Sequence, residues 1–262
     1  MDFSDAQLER YARHIILPEV GGVGQARLCQ ARVLVVGAGG LGSPLLLYLA
    51  AAGVGTLGIV DPDVVDLSNL QRQVIHDGAT LGRPKVDSAL DRIAAINPEV
   101  RVVAHRVRLT AANAMALVAD YHVVADGTDN FASRFLINDA CFLARRTLVS
   151  GAILRFEGQL STFKPHLGGA HPCYRCLFPE PPSPGLVPTC AAGGVFGALA
   201  GAIGSLQAVE VLKEVLGIGV SLSGRLLLFD GLATTFRTIR FSRDPACRLC
   251  GDHPTLLEPS DV

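Results

Sequence analysis

The stretch Arg32-Val33-Leu34-Val35-Val36-Gly37-Ala38-Gly39-Gly40-Leu41-Gly42 constrains this chain most: an apolar, β-branched run breaks into G-x-G-x-x-G and then into a helical segment. Glycines at 37, 39, 40 and 42 allow a tight turn, close backbone approach to a phosphate and close packing of helix on strand. The helix N-terminus that follows offers unpaired N–H groups to an anion. A bare pattern of this kind also arises by chance in Gly-rich chains. Here a strand precedes it, a helix follows it, and Asp61 ends the next strand, Thr56 to Val60. That places a carboxylate about 20 positions on, where a ribose hydroxyl is held. A nucleotide site is expected, against a purely structural Gly turn.

Further along, the same alternation continues. Ser4 and Gln7 have the spacing of a capping box, predicting a polar helix from Asp5 to Ile15 that carries Arg10 and Arg13, residues that on this evidence alone form a solvated face. A short helix over Gln25 to Gln30 leads into the first strand. The loop from Asp61 to His76 gathers Asn69, Gln71, Arg72 and Gln73 beside the Gly turn, at the strand end where open α/β sheets place ligands. Pro84 suits the first turn of a helix to Ile96, which puts Lys85 at a helix N-terminus. A cation there opposes the dipole by a few tenths of a kcal/mol unless an anion lies nearby. Strand Arg101 to Arg106, helix Ala111 to Ala119 capped by Thr110, strand His122 to Ala125 and helix Phe131 to Arg145 complete a parallel pattern. Asp126-Gly-Thr-Asp129-Asn130 heads that last helix. Asn130 reads as its N-cap, leaving Asp126 and Asp129 free to hold a divalent ion.

After Thr147 to Ser150 the period changes. Ile153 to Phe163 and Leu226 to Arg240 alternate like antiparallel strands, each with a Gly-containing turn, and Ala191 to Leu216 reads as one long buried helix rich in small residues. The expected fold is α/β, a Rossmann-like mostly parallel sheet with an added antiparallel part. Between these segments, Phe178 to Pro188 holds five prolines and a glycine, a loop placed to cross a site.

Charged residues make up 18% of 262, and the formal net charge is −1, which points away from nucleic acid and anionic membranes as partners. Mean hydropathy is high, at +0.37, and Val33 to Val60 and Leu186 to Val209 carry no charge. Both are read as buried elements rather than membrane spans, because glycines and Pro188 interrupt them. The polar start, Met1 to Arg13, does not have the form of a signal peptide.

Seven cysteines carry further information. Cys173-Tyr-Arg-Cys176 and Cys247-Arg-Leu-Cys250 form two C-x-x-C knuckles roughly 70 residues apart, the ligand set of a closed tetrahedral zinc site. Two separate redox pairs are the alternative, although neither pair opens a helix after a strand. Cys29 and Cys141 fall within helices as packing residues. Cys190, where the Pro-rich loop meets the long helix, is either a small half-buried residue or a nucleophile beside an activated acyl group. Thiols used this way fit a reducing compartment, the cytoplasm.

Taken together, RYARHIILPEVGGVGQ, GAGGLGSP, DPDVVDLSNLQRQ, GRPKVDSA, GTDNFASR, SGAILRFEGQ, PCYRC, GSLQAVEVLK and CRLC closely resemble the MoeB/ThiF family over nearly the whole chain. These are bacterial relatives of ubiquitin-activating enzymes that adenylate the C-terminal glycine of a ubiquitin-like sulfur-carrier protein of the MoaD/ThiS kind, in molybdopterin, thiamine or related sulfur-transfer biosynthesis. The resemblance implies a single adenylation domain over 1–262: N-terminal helices in 1–30, a nucleotide-binding half in 31–150, and an antiparallel, carrier-binding and zinc half in 151–262. It implies ATP across Gly37 to Gly42 with Asp61 at the ribose, bordered also by Asn130. Asn69, Arg72 and Lys85 are implied as triphosphate ligands, Asp129 as the Mg2+ ligand, and Arg13 as an arginine finger offered across a homodimer. Cys190 matches the cysteine that one branch of the family links covalently to its carrier and another does not require. The tail GDHPTLLEP resembles the linker that precedes a rhodanese domain in fused relatives. Sulfur is therefore expected from a separate donor, a rhodanese or a cysteine desulfurase, or from a domain beyond this sequence. A tRNA-base dehydratase of the same superfamily, a non-catalytic scaffold and a nicotinamide dehydrogenase are the competing readings.

Overall fold

In the computed structural model, residues 3–183 and 193–260 are described, and an eight-stranded sheet runs through them in the order β3-β2-β1-β4-β5-β6-β7-β8. The parallel part comprises β1 (Arg32–Val36), β2 (Thr56–Val60), β3 (Arg101–His105) and β4 (Val123–Asp126), with α3 (Gly42–Ala51), α4 (Lys85–Ile96) and α5 (Ala111–Ala119) as crossovers. Ahead of it lie α1 (Asp5–Ile15) and α2 (Gly21–Gln30); α6 (Phe131–Leu143) leads into β5 (Thr147–Leu154). The expected capping box closes α1: Gln7 N–H donates to Ser4 Oγ at 3.2 Å, and Ser4 N–H donates to Gln7 Oε1 at 3.0 Å. The second helix starts earlier than expected, at Gly21, because the bare Gly24 backbone lets it lie against Leu216.

Strand β5 changes the character of the sheet. It pairs parallel with β4 over Thr147 to Ser150 and antiparallel with β6 (Glu157–Phe163) along its whole length. The expected Gly turn inside 153–163 is corrected: the chain reverses at Arg155 and Phe156, with Arg155 itself left-handed at φ +54°. Gly158 lies within β6 instead, because a Cβ there would run into the Ile203 side chain. Strands β7 (Arg225–Asp230) and β8 (Thr235–Arg240) extend the antiparallel part. After β6 come the one-turn helix α7 (Tyr174–Leu177) and the long α8 (Gly197–Leu216), the described portion of the helix expected from 191.

Apolar side chains from both faces of the sheet form two main clusters. One joins Val33, Val35, Leu57 and Ile59 to Leu45, Leu46, Leu49, Ile93 and Val211; the other joins Leu34, Val36 and Val124 to Phe135, Ile137 and Val118. The continuous burial of β1 (all of Val33–Val36) and β4 explains their unbroken apolar sequence. The first uncharged stretch is thus β1-turn-α3-β2, residues 197–209 of the second lie in α8, and no described helix is long and apolar enough to cross a membrane.

Helix α8 crosses α3 at Gly204, where a Cβ would meet the Leu41 carbonyl oxygen and the Pro44 ring. For Gly204→Ala, helix propensity gains about 1 kcal/mol, whereas overpacking costs about 1–3 kcal/mol. The clash is with backbone, so the cost wins and a net loss of about 1–2 kcal/mol is expected in urea unfolding. Equal or higher stability would refute the close crossing.

Candidate nucleotide site and four-thiol centre

The Gly turn sits at the carboxyl ends of β1, β2 and β4. Gly37 adopts φ +97°, and its N–H donates to Val60 O at 2.8 Å. A Cβ on Gly42 would strike the Gly37 carbonyl oxygen, so this glycine packs the turn against α3. Ala38 is held at both backbone groups: its N–H donates to Asp61 Oδ2 at 2.8 Å, and its carbonyl accepts from His76 Nε2 at 2.9 Å. Since Nε2 must carry the proton, Nδ1 accepts from the Ser88 hydroxyl at 2.9 Å, which fixes a neutral tautomer. Burial pushes the His76 pKa down, assisted by Lys85, and keeps it neutral. Burial raises the Asp61 carboxyl above the usual aspartate value, an effect that Lys85 partly offsets.

Above the turn opens a solvent-facing cavity. Of the residues singled out in the sequence, it gathers Gly37, Gly39, Gly40, Asp61, Arg72, Lys85, Asp129 and Asn130. Lys85, 6% exposed, begins α4 and pairs with Asp63 at 3.2 Å, so the unfavourable placement of a cation at a helix start is countered by two neighbouring carboxylates. The stem of Arg72 lies over Gly40, and its Nη1 donates to Ser68 O at 3.1 Å. Asn130 is the N-cap of α6, accepting from Ser133 N–H at 2.8 Å, and Asp129 beside it is exposed. Among the described residues, Arg72, Lys85, Arg108 and Arg134 face Asp61, Asp63 and Asp129 across the lining. With the N-terminus of α3 added, the balance favours an anion.

Other expected residues lie elsewhere. Asn69 is outside the cavity wall, its Oδ1 accepting from Asp66 N–H at 3.3 Å to close a short turn. Arg13 is exposed in the last turn of α1 and does not line the cavity of its own chain. Cys190 falls outside the described residues. Asp126 requires a correction: it is not free to bind a metal. Fully buried as the last residue of β4, it accepts from Thr128 N–H and Oγ1 at 2.9 and 2.7 Å and from Ser150 Oγ at 2.8 Å. Its place in the strand, one residue beyond the expected end, commits one oxygen to the turn and the other to β5. Sequence reasoning missed Asp63, His76, Arg108 and Arg134; Gln73, which it grouped with Asn69, Gln71 and Arg72 beside the Gly turn, is buried next to Gly39 and lines the cavity. The D-x-D spacing at 61 and 63 is the one signal that pointed to Asp63.

A second, more apolar cavity adjoins the first and shares Asp129, Asn130, Arg134 and Ile153 with it. Phe131, Leu154, Tyr174 and Phe178 form its apolar wall.

The two C-x-x-C knuckles converge. Cys173 Sγ lies 3.8 Å from Cys176 and 3.6 Å from Cys247, Cys176 lies 3.4 Å from Cys250, and all four sulfurs fall within 4.8 Å of one another. Tetrahedral zinc at 2.3 Å from each sulfur requires S···S separations of about 3.8 Å. The donor set therefore fits zinc, and the pairing across knuckles excludes two independent redox sites. Asp244 N–H donates to Cys176 Sγ at 3.4 Å, and hydrogen bonding from Cys173 holds the Cys176 thiol down at about 7, favouring a thiolate. The centre is tied to α6 by the buried Arg175–Asp139 pair, at 2.8 and 2.7 Å, and by Tyr174 N–H donating to Asn138 Oδ1 at 2.8 Å.

A doubly wound sheet with a Gly turn, an anion-favouring cavity and a four-thiol knuckle defines a nucleotide-binding α/β protein. More closely, the ThiF family model matches residues 11–249, and the chain belongs to the ThiF family. It is 52% identical over 263 residues to a sulfur carrier protein adenylyltransferase of Thermus thermophilus, covering all of this chain and 97% of that protein. It is 54% identical over 244 residues to a probable adenylyltransferase/sulfurtransferase MoeZ of Mycobacterium tuberculosis, covering 93% of this chain and 62% of that one. The adenylyltransferase and sulfurtransferase MOCS3 of Bos taurus is 54% identical over 259 residues, and here the chain spans 56% of the relative's length. Among solved structures, Escherichia coli MccB with MccA-N7isoASN superposes with a TM-score of 0.80 at 19% identity, covering 92% of this chain and 74% of that one. PaaA gives 0.78 at 24%, covering 92% and 76%; both show the shared fold.

Two outcomes follow. Between the unfolded histidine value of about 6.5 and the depressed folded value of His76, the unfolded chain binds a proton that the folded chain refuses, so stability falls as pH drops below about 6.5. In His76→Gln, denaturant titrations across this range should show a smaller fall; equal pH slopes would contradict the buried neutral imidazole. Metal analysis of purified protein should give one zinc per chain, and Cys247→Ser should lose the metal and lower Tm by several degrees. A metal content well below one per chain would sink the assignment.

Proposed function

We propose that this protein is an ATP-dependent adenylyltransferase that activates the C-terminal glycine of a ubiquitin-like sulfur-carrier protein. The observation that carries this reading is the junction of the two cavities: Arg72, Lys85 and Asp129 line the cavity at the nucleotide turn, and a more apolar cavity adjoins it at Arg134. The names of the relatives support the same substrate class, and weigh against the dehydratase, scaffold and dehydrogenase readings.

In the reaction, a carboxylate oxygen attacks the α-phosphorus of ATP, the bond from that phosphorus to the bridging oxygen breaks, and pyrophosphate leaves with the electron pair. No net proton moves, because the carboxylate is already ionised. Negative charge grows on the leaving oxygens, and Lys85 and Arg72 sit where they can answer it. Asp129, exposed and with no ion pair among the described residues, is the proposed ligand of Mg2+, which would shield the triphosphate. Asp61, with Oδ2 on Ala38 N–H and Oδ1 on Asp63 N–H, is the proposed ribose acceptor through its remaining lone pairs. Asn69 reaches the phosphates in this reading only if its turn rearranges. Holding the flexible tail in line with phosphorus is the larger part of the work, and Tyr174 and Phe178 line its path.

The rest of the reading is of the same kind. The chain acts as one adenylation domain over 1–262, zinc at the four cysteines is structural, and the acyl-adenylate passes to a sulfur donor, a separate rhodanese or cysteine desulfurase. A homodimer brings a second copy's Arg13 to the site. The surface where Tyr48 (57% exposed), Val209 (53%) and Leu212 surround an apolar hollow next to α1 supports that assembly. Described cysteines free of disulfides fit the cytoplasm.

Carrier-dependent ATP/pyrophosphate exchange tests the proposal. Asp129→Ala and Arg72→Ala should each lower exchange by about 100-fold or more with unfolding curves unchanged, and a carrier lacking its terminal Gly-Gly should support none. Near wild-type exchange in either variant would remove the role assigned to that residue, and exchange with no carrier would defeat the reading.

A further inference from the structure

Arg134 occupies the wall between the two cavities and borders both. It rises from the first turn of α6, its Nη2 donating to Thr128 O at 2.8 Å, while its guanidinium stands 5.9 Å from the centre of the Phe131 ring. Among the described residues it forms no ion pair, and its buried Nε finds no acceptor. The other guanidinium half-enclosed by this α6 region, that of Arg175, is fully matched by Asp139. A partly buried cation without a counter-charge is costly, and the cost falls when an anion arrives. Two carboxylates border the same channel, Asp129 and Glu157, but both are exposed and neither pairs with it.

Which anion arrives is decided by the surroundings. The triphosphate side already has Arg72, Lys85 and the α3 N-terminus, whereas the apolar channel of Phe131, Ile153, Leu154, Tyr174 and Phe178 has Arg134 as its cation. A peptide entering that channel presents amide groups until its last atom pair, the terminal carboxylate. We propose that Arg134 is the anchor of this carboxylate, a substrate-binding residue that recognises a free C-terminal carboxyl group and stops it at the edge of the nucleotide cavity. The planar guanidinium suits a two-oxygen acceptor. It also offsets the desolvation of the carboxylate as it leaves water for the channel. One oxygen remains directed toward the α-phosphorus, and the bond to Thr128 O keeps the guanidinium from following the tail.

This inference rests on the function proposed above, and its test separates the two. A ubiquitin-like carrier ending in Gly-Gly, and the same carrier with its terminal carboxyl converted to an amide, are titrated into protein loaded with a non-hydrolysable ATP analogue; carrier-dependent pyrophosphate exchange is measured in parallel. In the wild type the carboxylate form should bind about 10- to 100-fold tighter than the amide. Arg134→Met should abolish that ratio while leaving affinity for the amide carrier and for the analogue within about twofold of wild type, which also certifies its fold. Arg134→Lys should restore part of the ratio, and the KM for carrier in exchange should follow the same order while the KM for ATP stays put. A ratio that survives in Arg134→Met, or a loss confined to nucleotide affinity, overturns the assignment and places Arg134 with the phosphates or the scaffold. Absence of exchange with every carrier in the wild type overturns the functional reading itself, and the anchor with it.

Discussion

The backbone of Ala38 is the point on which the site depends. Its N–H is taken by Asp61 from the end of β2 and its carbonyl by His76 from the following loop, so two elements distant in sequence meet on one residue of the nucleotide turn. Gly37, held left-handed beneath it, has no room for a Cβ because the Gly127 carbonyl lies 3.0 Å from where one would sit. The turn is therefore fixed before any ligand arrives. Preorganisation of this kind matters for phosphoryl chemistry, where donors that need not reorganise contribute most.

A consequence is that the loop after β2 cannot be treated as a mobile lid. His76 bonds Ser88 of α4 as well as Ala38, Lys85 N–H donates to Asp63 O at 2.9 Å, and Val65 exchanges backbone bonds with Gly82 and Arg83. Arg72 and Lys85, carried on this segment, are thereby placed over the turn by its backbone bonding, and each is steadied by its own contact, Arg72 with Ser68 O and Lys85 with Asp63. Both side chains line the nucleotide cavity, and the charge conflict of Lys85 with its helix is relieved locally by Asp61 and Asp63.

The sequence was most legible where physics acts over short range. The capping box at Ser4 and the caps at Thr110 and Asn130 depend on neighbours within a few residues, and each forms as expected. Legibility failed where a distant partner decides the outcome. Gly158 resembles a turn residue, yet it is glycine because Ile203 of α8 occupies the space above β6. Asp126 resembles a free ligand, yet Ser150 on the neighbouring strand and Thr128 use both of its oxygens. Arg134 looked like any surface arginine of a helix, since nothing local reveals that β5 and the knuckle will wall it in. The four cysteines are the exception to this rule of range: their chemistry, not their neighbourhood, announced the partnership.

That centre does more than clamp strands. Tyr174 lies between two of its cysteines, lines the apolar cavity and packs with its ring centre 4.9 Å from that of Phe178, so the geometry of the knuckle is also the geometry of the channel. Two ties connect it to α6: the Asn138 carboxamide to the Tyr174 backbone, and Asp139 to Arg175, whose guanidinium also rests 4.7 Å from the Phe135 ring. Losing one member of such a buried pair costs about 3–5 kcal/mol, more than the net worth of an ordinary hydrogen bond, about 1 kcal/mol. The ion pair therefore sets where the knuckle docks, and the sulfur ligands set its internal shape. Since the same helix begins at Asn130 beside Asp129, a rigid rod about 20 Å long, at 1.5 Å per residue, joins the four-thiol centre to the nucleotide cavity. Channel wall and phosphate-side cap are thus referenced to one element, which is the arrangement needed when a chain terminus must meet a phosphorus atom in line.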